Sequence, residues 1–187
     1  MNIILFGPPG AGKGTQSKYL TKKINGFQVS TGEMLREEIK NETNIGKLII
    51  NDMNDGKFVS DEIVNKLIEK AIFDKQKKNK LIFDGYPRSL SQAQKLEILL
   101  KASNQKIEHI FFLNVDKEII VERIKKRKIL EKRSDDSLNT ILKRYDTYME
   151  TTRPVLDFYS SRSYFYEIDG SEKIEVISSK IEQIINL

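Results

Sequence analysis

The chain of 187 residues contains no cysteine. That absence excludes disulfides, thiolate zinc sites and cysteine nucleophiles together, and leaves oxygen as the atom through which a metal would be held. Histidine is nearly absent as well. The single one, His109, stands beside the apolar run IFFL and reads as a structural residue rather than a catalyst. No apolar run approaches the roughly 20 residues of a membrane span. The opening MNIILF carries no basic leader and gives way to Gly7 and Pro8, so neither a secretory signal nor a membrane segment is expected, and the expected location is the cytoplasm. Nor does one sign of charge dominate. Lys+Arg 32 against Asp+Glu 27 leaves +5, enough to favour anionic partners without choosing between nucleic acid and nucleotide phosphates.

Hydrophobic residues make up 39% and charged residues 32%, the balance of one soluble folding unit with a heavily solvated surface. Short apolar runs at residues 3–6, 27–29, 81–83, 110–115 and 164–168 read as buried strands. Helical stretches separate them, at residues 14–24, 32–40, 45–54, 61–73, 90–101, 117–126, 137–162 with Pro154 inside, and 173–187. Strands alternating with helices predict an α/β fold built on a doubly wound, five-stranded parallel sheet. Ligands of such sheets bind at the carboxyl ends of the strands. Two segments depart from the alternation, 30–59, where two helices run without a strand between them, and 127–136. Both are expected to be mobile inserts in a single domain whose core is 1–29, 60–126 and 137–187.

Residues 7–15 read GPPGAGKGT, directly after the first strand and opening the first helix. That is the setting of a phosphate-binding loop. Its glycines let Gly10, Ala11, Gly12, Gly14 and Thr15 turn backbone N–H groups inward, the helix N-terminus adds partial positive charge, and Lys13 adds a full one. Gly14 follows Lys13 where the common motif has a hydroxyl, and the hydroxyl arrives one place later at Thr15, so magnesium should be held less directly by this loop. Asp84 ends the apolar run LIF at the top of a strand, where a carboxylate can hold the hydration shell of magnesium or cap a turn.

Other residues allow two readings each. Thr31 suits a helix N-cap. Gln92 stands three residues after Ser89 and can complete a capping box. Arg123 and Arg127 are four apart, share a helix face, and can form a solvated basic stripe with Lys125, Lys126 and Lys128. Lys57, Phe58 and Val59 read as ordinary strand or loop. Asp136 can cap the long helix after it, and the aromatics near 158 and 164 read as core.

The strings GPPGAGKGTQ, STGEMLRE at 30–37 and DGYPRSLSQA at 84–93 closely resemble the adenylate kinase family, P-loop nucleoside monophosphate kinases, and the resemblance runs from Met1 to the C-terminal helix. It implies Mg-dependent phosphoryl transfer from ATP to AMP giving two ADP, with nucleotides as partners, no nucleic acid, no membrane and a monomeric state. It implies an AMP-binding flap at 30–59 and a lid over ATP at 127–136. Thr31 and Gln92 would contact adenine, Arg36 and Arg88 the AMP phosphate, and Lys57, Phe58, Val59, Gly85 and Tyr86 the rest of that pocket. Tyr86 departs from the family's usual Phe. Arg123 would stack on the ATP adenine, Arg127 bind its phosphates, and the loop 169–172 with Glu172 touch its base. Lys13, Arg88, Arg127, Arg133 and Arg144 would surround the transferring group, with Asp135 and Asp136 ordering the arginines and Asp84 holding magnesium through water.

Two other readings compete. A kinase for UMP, CMP or GMP shares the phosphate loop, although the sister UMP/CMP kinases usually carry Ala at the Thr31 place and Asn near the Gln92 place. An ATP-sensing module would bind ATP without AMP-dependent turnover.

Five residues separate Arg127 from Arg133, which is the short-lid type, whereas long-lid relatives insert a subdomain there that in some cases binds zinc through cysteines. Activity is therefore expected to require magnesium and to survive a zinc-selective chelator. A stoichiometric, tightly bound zinc in the purified protein would contradict the short-lid reading.

Overall fold

The computed structural model describes residues 1–74, 80–131 and 138–186, with the side chains of 128–131, 138 and 141 outside the description. Five parallel strands, β1 (Asn2–Phe6), β2 (Phe27–Ser30), β3 (Leu81–Asp84), β4 (Ile107–Asn114) and β5 (Phe165–Asp169), form one sheet in the order β2-β3-β1-β4-β5. The expected parallel α/β sheet is the observed one. The helices are α1 (Lys13–Lys23), α2 (Thr31–Lys40), α3 (Asn44–Asn54), α4 (Asp61–Phe73), α5 (Leu90–Ala102), α6 (Lys117–Glu131), α7 (Leu138–Thr147), α8 (Arg153–Ser160) and α9 (Ile174–Ile184).

Successive residues of a strand face opposite sides, and here both sides are covered, which is why the strands read as unbroken apolar runs. Ile4, Phe6, Phe83 and Phe112 belong to one core with residues of α2, α4, α5 and α8. Ile3, Leu5, Ile82 and Phe111 belong to the other, with residues of α1, α6 and α9. All eight are buried.

β4 begins at Ile107, earlier than the apolar run at Ile110 suggests. The added residues IEH alternate in polarity and so lie below a run-based reading. The residues just before them are held by Asn2, a buried amide that donates to Gln105 Oε1 at 3.1 Å and to the Lys106 carbonyl at 3.0 Å. The same side chain accepts from the Leu81 N–H at 3.0 Å, so one residue of β1 sets the start of both neighbouring strands.

Helix starts follow local chemistry. Ser30 accepts from Glu33 N–H to open α2, Thr43 from Gly46 N–H to open α3, and Ser89 from Gln92 N–H to open α5. The expected single helix over 137–162 is instead α7, a π-helical turn at Tyr148–Thr152, and α8. Pro154 is the cause. It lacks an N–H and its ring crowds the carbonyl four residues back, so it is accommodated in the first turn of a new helix behind a widened turn. Helix α6 runs to Glu131, beyond the expected end at Lys126 and into the segment read as a lid.

Within 30–59 the two helices pack closely. A Cβ added to Gly46 of α3 would lie 2.1 Å from the Glu38 carbonyl oxygen and 2.8 Å from Ile39 Cα, both backbone atoms of α2. Replacing Gly46 with Ala is therefore expected to force the two helices apart and lower stability by about 1–3 kcal/mol, read as a drop in melting temperature. An unchanged melting temperature would show that this crossing yields freely.

Candidate functional site

The register brings the carboxyl ends of three strands to one level, with Ser30 and Leu5 each opposite Asp84. A cavity of about 570 Å³ opens above them, between the loop after β1, the segment 30–59, the loop after β3, and α6 and α7. Its volume is that of a site for small ligands.

The loop after β1 wraps the cavity floor, and Gly10, Ala11, Gly12, Lys13, Gly14 and Thr15 all line it. Gly12 precedes α1 with φ of 97°, a left-handed conformation that a residue with a side chain adopts only with strain. Lys13 then sits in the first turn and folds back over the loop, its Nζ donating to the Gly7 carbonyl at 2.7 Å and the Pro8 carbonyl at 3.0 Å. Burial lowers its pKa to about 8; Asp84 opposes that shift, and the charges of Arg88 and Arg127 add to it.

Arg88 shares this condition. Its pKa falls to about 10, chiefly through burial, with Arg144 and Arg36 pushing the same way and Asp84 against. Its Nε donates to the Gly85 carbonyl at 2.7 Å, and its guanidinium lies 4.7 Å from the centroid of the Phe58 ring. Arg36, Arg88, Arg127 and Arg144 all line the cavity. These cations come from α2, the loop after β3, α6 and α7. Arg133, Asp135 and Asp136 lie outside the described residues.

Lys57, Phe58, Val59, Gly85 and Tyr86 also line the cavity. Thr31 and Gln92 are buried and are not themselves among its lining residues, whereas Ser30, Gly32, Gly85 and Arg88 next to them are. The Thr31 hydroxyl donates to the Gly85 carbonyl at 2.8 Å. The Gln92 N–H bonds the Ser89 hydroxyl at 3.2 Å, as a cap requires, but its side chain accepts from the Arg88 N–H at 2.8 Å and donates to Asp61 Oδ1 at 2.6 Å. The Tyr86 hydroxyl lies 2.7 Å from Asn65 Oδ1 and 3.2 Å from the Gln92 carbonyl, and burial raises its pKa.

Arg123 and Arg127 both reach the cavity, as does Glu172. The Arg123 guanidinium donates to the Gly170 carbonyl at 2.7 Å and the Ser171 carbonyl at 3.1 Å, which fixes the loop after β5 to α6. Glu172 pairs with Lys180 at 2.6 Å. His109 does not line the cavity; its ring lies against Phe111 and Tyr166. Phe158 and Tyr159 pack edge to face in the core, as expected of that cluster.

For a metal, the donor set is oxygen. Asp84 lines the cavity beside the loop, its Oδ2 3.5 Å from where a Cβ on Gly14 would stand and 3.4 Å from Gln28 Nε2. Among the described residues no group of three or more His, Asp or Glu side chains forms a cage. One carboxylate facing a phosphate loop fits magnesium, which keeps several waters and takes one or two protein carboxylates together with substrate phosphates.

Sequence reasoning missed several participants. Thr152 donates to the Arg88 carbonyl at 3.0 Å, and Tyr148 lines the cavity with its buried hydroxyl lacking a hydrogen-bond partner among the described residues. Both lie on the π-helical turn, and Pro154 inside a helical pattern was the available signal for it. Gln28 and Asp61 carry no motif, and only the fold brings them to Asp84 and Gln92.

Comparison with known proteins agrees with this geometry. The family model described as adenylate kinase matches residues 5–164. An adenylate kinase of Pelagibacter ubique is 46% identical over 213 aligned positions, covering all of both chains. One of Mycoplasma mycoides is 40% identical over 199 positions, covering 92% of each. One of Porphyromonas gingivalis is 36% identical over 186 positions, covering all of this chain and 96% of its own. With a phosphate loop, a converging set of cations and a match over most of its length, the chain belongs to the adenylate kinase family.

Proposed function

We infer that the cavity carries out the reaction for which the family is named, reversible Mg-dependent transfer of the terminal phosphoryl group of ATP to AMP, giving two ADP. The observation that carries this reading is the convergence of Lys13, Arg36, Arg88, Arg127 and Arg144 on one cavity floored by a phosphate-binding loop. Cations gathered around a cavity suit small polyanions, whereas nucleic acid is met by an open basic face.

The acceptor oxygen belongs to the AMP phosphate. Its second pKa is near about 6, so it is largely dianionic at neutral pH and needs no general base. The chain's task is to bring two polyanions into line and to spread the charge of a loose transition state. In this reading ATP takes the loop from Gly10 to Thr15 and the side of Arg123, Arg127 and Glu172. AMP takes the side of Thr31, Arg36, Lys57, Phe58, Val59, Gly85, Tyr86, Arg88 and Gln92. Lys13, Arg88, Arg127, Arg133 and Arg144 act on the transferring group. Magnesium would be held through water by Asp84 and would neutralise charge on the phosphate oxygens of ATP. The Lys13 ammonium, spent on two loop carbonyls, keeps a third N–H for a phosphate.

Residues 30–59 act as the flap over AMP and 127–136 as a short lid over ATP, which together exclude water as a competing acceptor. The alignment with the Porphyromonas relative, 186 positions against 187 residues here, supports a chain without a long insertion. The reading includes a monomer working in the cytoplasm, by resemblance to the family. No described helix is long and apolar enough to cross a membrane.

Two adenosines joined by five phosphates would span both pockets as one ligand. This compound is expected to compete with ATP and with AMP, to stabilise the fold by about 4 kcal/mol at a thousandfold excess over its Kd, and so to raise the melting temperature more than ATP does at equal concentration. Failure on both counts, with no AMP-dependent ADP formation in a coupled assay, would favour an ATP-sensing module.

Lys13 gives a pH signature. Its pKa is about 8 in the folded protein against 10.5 for an ordinary lysine, so between those values the unfolded chain binds more protons and ligand-free stability rises with pH. A phosphate beside the ammonium favours its charged form and reverses the shift. Binding of the two-adenosine compound near pH 8.5 is therefore expected to take up most of one proton, measured by calorimetry in buffers of different ionisation enthalpy. Lys13→Arg, charged throughout, should abolish the uptake; equal uptake by both proteins would place the titrating group elsewhere.

A further inference from the structure

Both ends of the Gln92 amide are engaged by groups that leave it no choice of orientation. Its Oε1 accepts from the Arg88 backbone N–H at 2.8 Å, and its Nε2 donates to Asp61 Oδ1 at 2.6 Å. A backbone N–H can only donate and a carboxylate can only accept. Turning the amide over would set oxygen against carboxylate and NH₂ against N–H, in a side chain only 3% exposed. Asp61 is itself fixed. Its Oδ2 accepts from the Ser89 hydroxyl at 2.9 Å and from the Ser91 hydroxyl, and it occupies the first turn of α4, where the helix dipole favours a carboxylate.

An amide offers two N–H donors and two lone pairs on oxygen. With one of each spent on Asp61 and Arg88, one N–H and one lone pair remain among the described residues, in a fixed order. We propose that Asp61 is a positioning residue for base selectivity, locking Gln92 in the orientation that reads a 6-aminopurine monophosphate and rejects a 6-oxopurine one. The proposal rests on the reading that Gln92 meets the base of AMP.

The chemistry of the two edges makes the lock consequential. Adenine presents an amino donor at position 6 beside an acceptor at N1, whereas a 6-oxopurine presents an acceptor beside an N1–H donor. A glutamine free to turn over satisfies either. One that is locked meets the 6-oxopurine donor to donor and acceptor to acceptor. Asp61 thus acts without touching the base, through the amide it holds.

The test compares AMP with IMP as phosphoryl acceptor, with ATP as donor. Asp61→Ala is expected to lower the AMP-over-IMP ratio of kcat/KM about tenfold, at the low end of what one paired base contact discriminates, with the KM for ATP unchanged. Asp61→Asn, whose amide oxygen can still accept from Gln92, should restore most of the ratio, while a KM for ATP unchanged in both variants separates this from a general loss of structure. An unchanged ratio in Asp61→Ala, or a fall that Asn does not restore, overturns the proposal. Should Asp61→Ala not fold, Ser91→Ala, which removes one of the two hydroxyls that hold Asp61 and leaves the Ser89 cap on the Gln92 N–H, is expected to shift the ratio in the same direction; no shift overturns the proposal equally. Gln92→Ala separates the two levels. If it leaves AMP turnover intact, the reading of Gln92 itself fails. If it weakens AMP selectively while Asp61→Ala keeps the wild-type ratio, only the role of Asp61 falls.

Discussion

Positive charges gathered around one cavity repel each other and lose solvation together, and this site has to hold them in place before any phosphate arrives. Several of them are held by main-chain oxygen. Lys13 is tied to the Gly7 and Pro8 carbonyls, Arg88 to the Gly85 carbonyl, and Arg123 to the Gly170 and Ser171 carbonyls. Carbonyl dipoles fix the direction of a cation without cancelling its charge, which a facing carboxylate would do. Among the described residues Asp84 is the carboxylate that opposes the downward shifts of Lys13 and Arg88, and both pKa values stay well below their ordinary ones. A polyphosphate bound among these cations would meet charges already held in place.

The sheet exists, in functional terms, to deliver those carbonyls. Parallel strands end at one level, so the loops after β1 and β3 and the first turn of α2 reach the same space from different points in the chain. The buried Asn2 sets the register at the other end, since its amide bonds the segment before β4 and the first residue of β3 at once. A displacement there would pass along rigid strands to the cavity, about 3.3 Å per residue of slip.

The sheet, the phosphate loop and most of the cavity wall were legible in the sequence, because they rest on local chemistry: apolar runs of strand length, glycines beside a lysine, a carboxylate closing a strand. What was not legible depends on contacts between distant segments. Thr31 reads as an N-cap but is the first residue of α2 behind the cap Ser30, and Gln92 meets the Ser89 cap through its N–H while its side chain turns elsewhere; no motif announces that Asp61, some thirty residues upstream of Gln92, would take one end of its amide. The long helix was read through Pro154 because the apolar pattern continues past it; the structure widens one turn instead. Helix α6 continues past Lys126 because its residues remain good helix formers, and helix propensity does not mark where an insert begins.

Gly46 bears on how the segment 30–59 can move. With α3 lying almost against the backbone of α2, and Thr43 hydrogen-bonded to the Glu38 side chain between them, the two helices have little room to slide past each other. Any swing of the segment has to be taken up at its two ends, near Ser30 where β2 stops and near Val59 and Ser60 ahead of α4. Were the segment to swing, a pair so closely joined would turn as a stiff paddle on two joints, its roots beside the residues that Asp61 and Thr31 hold in place.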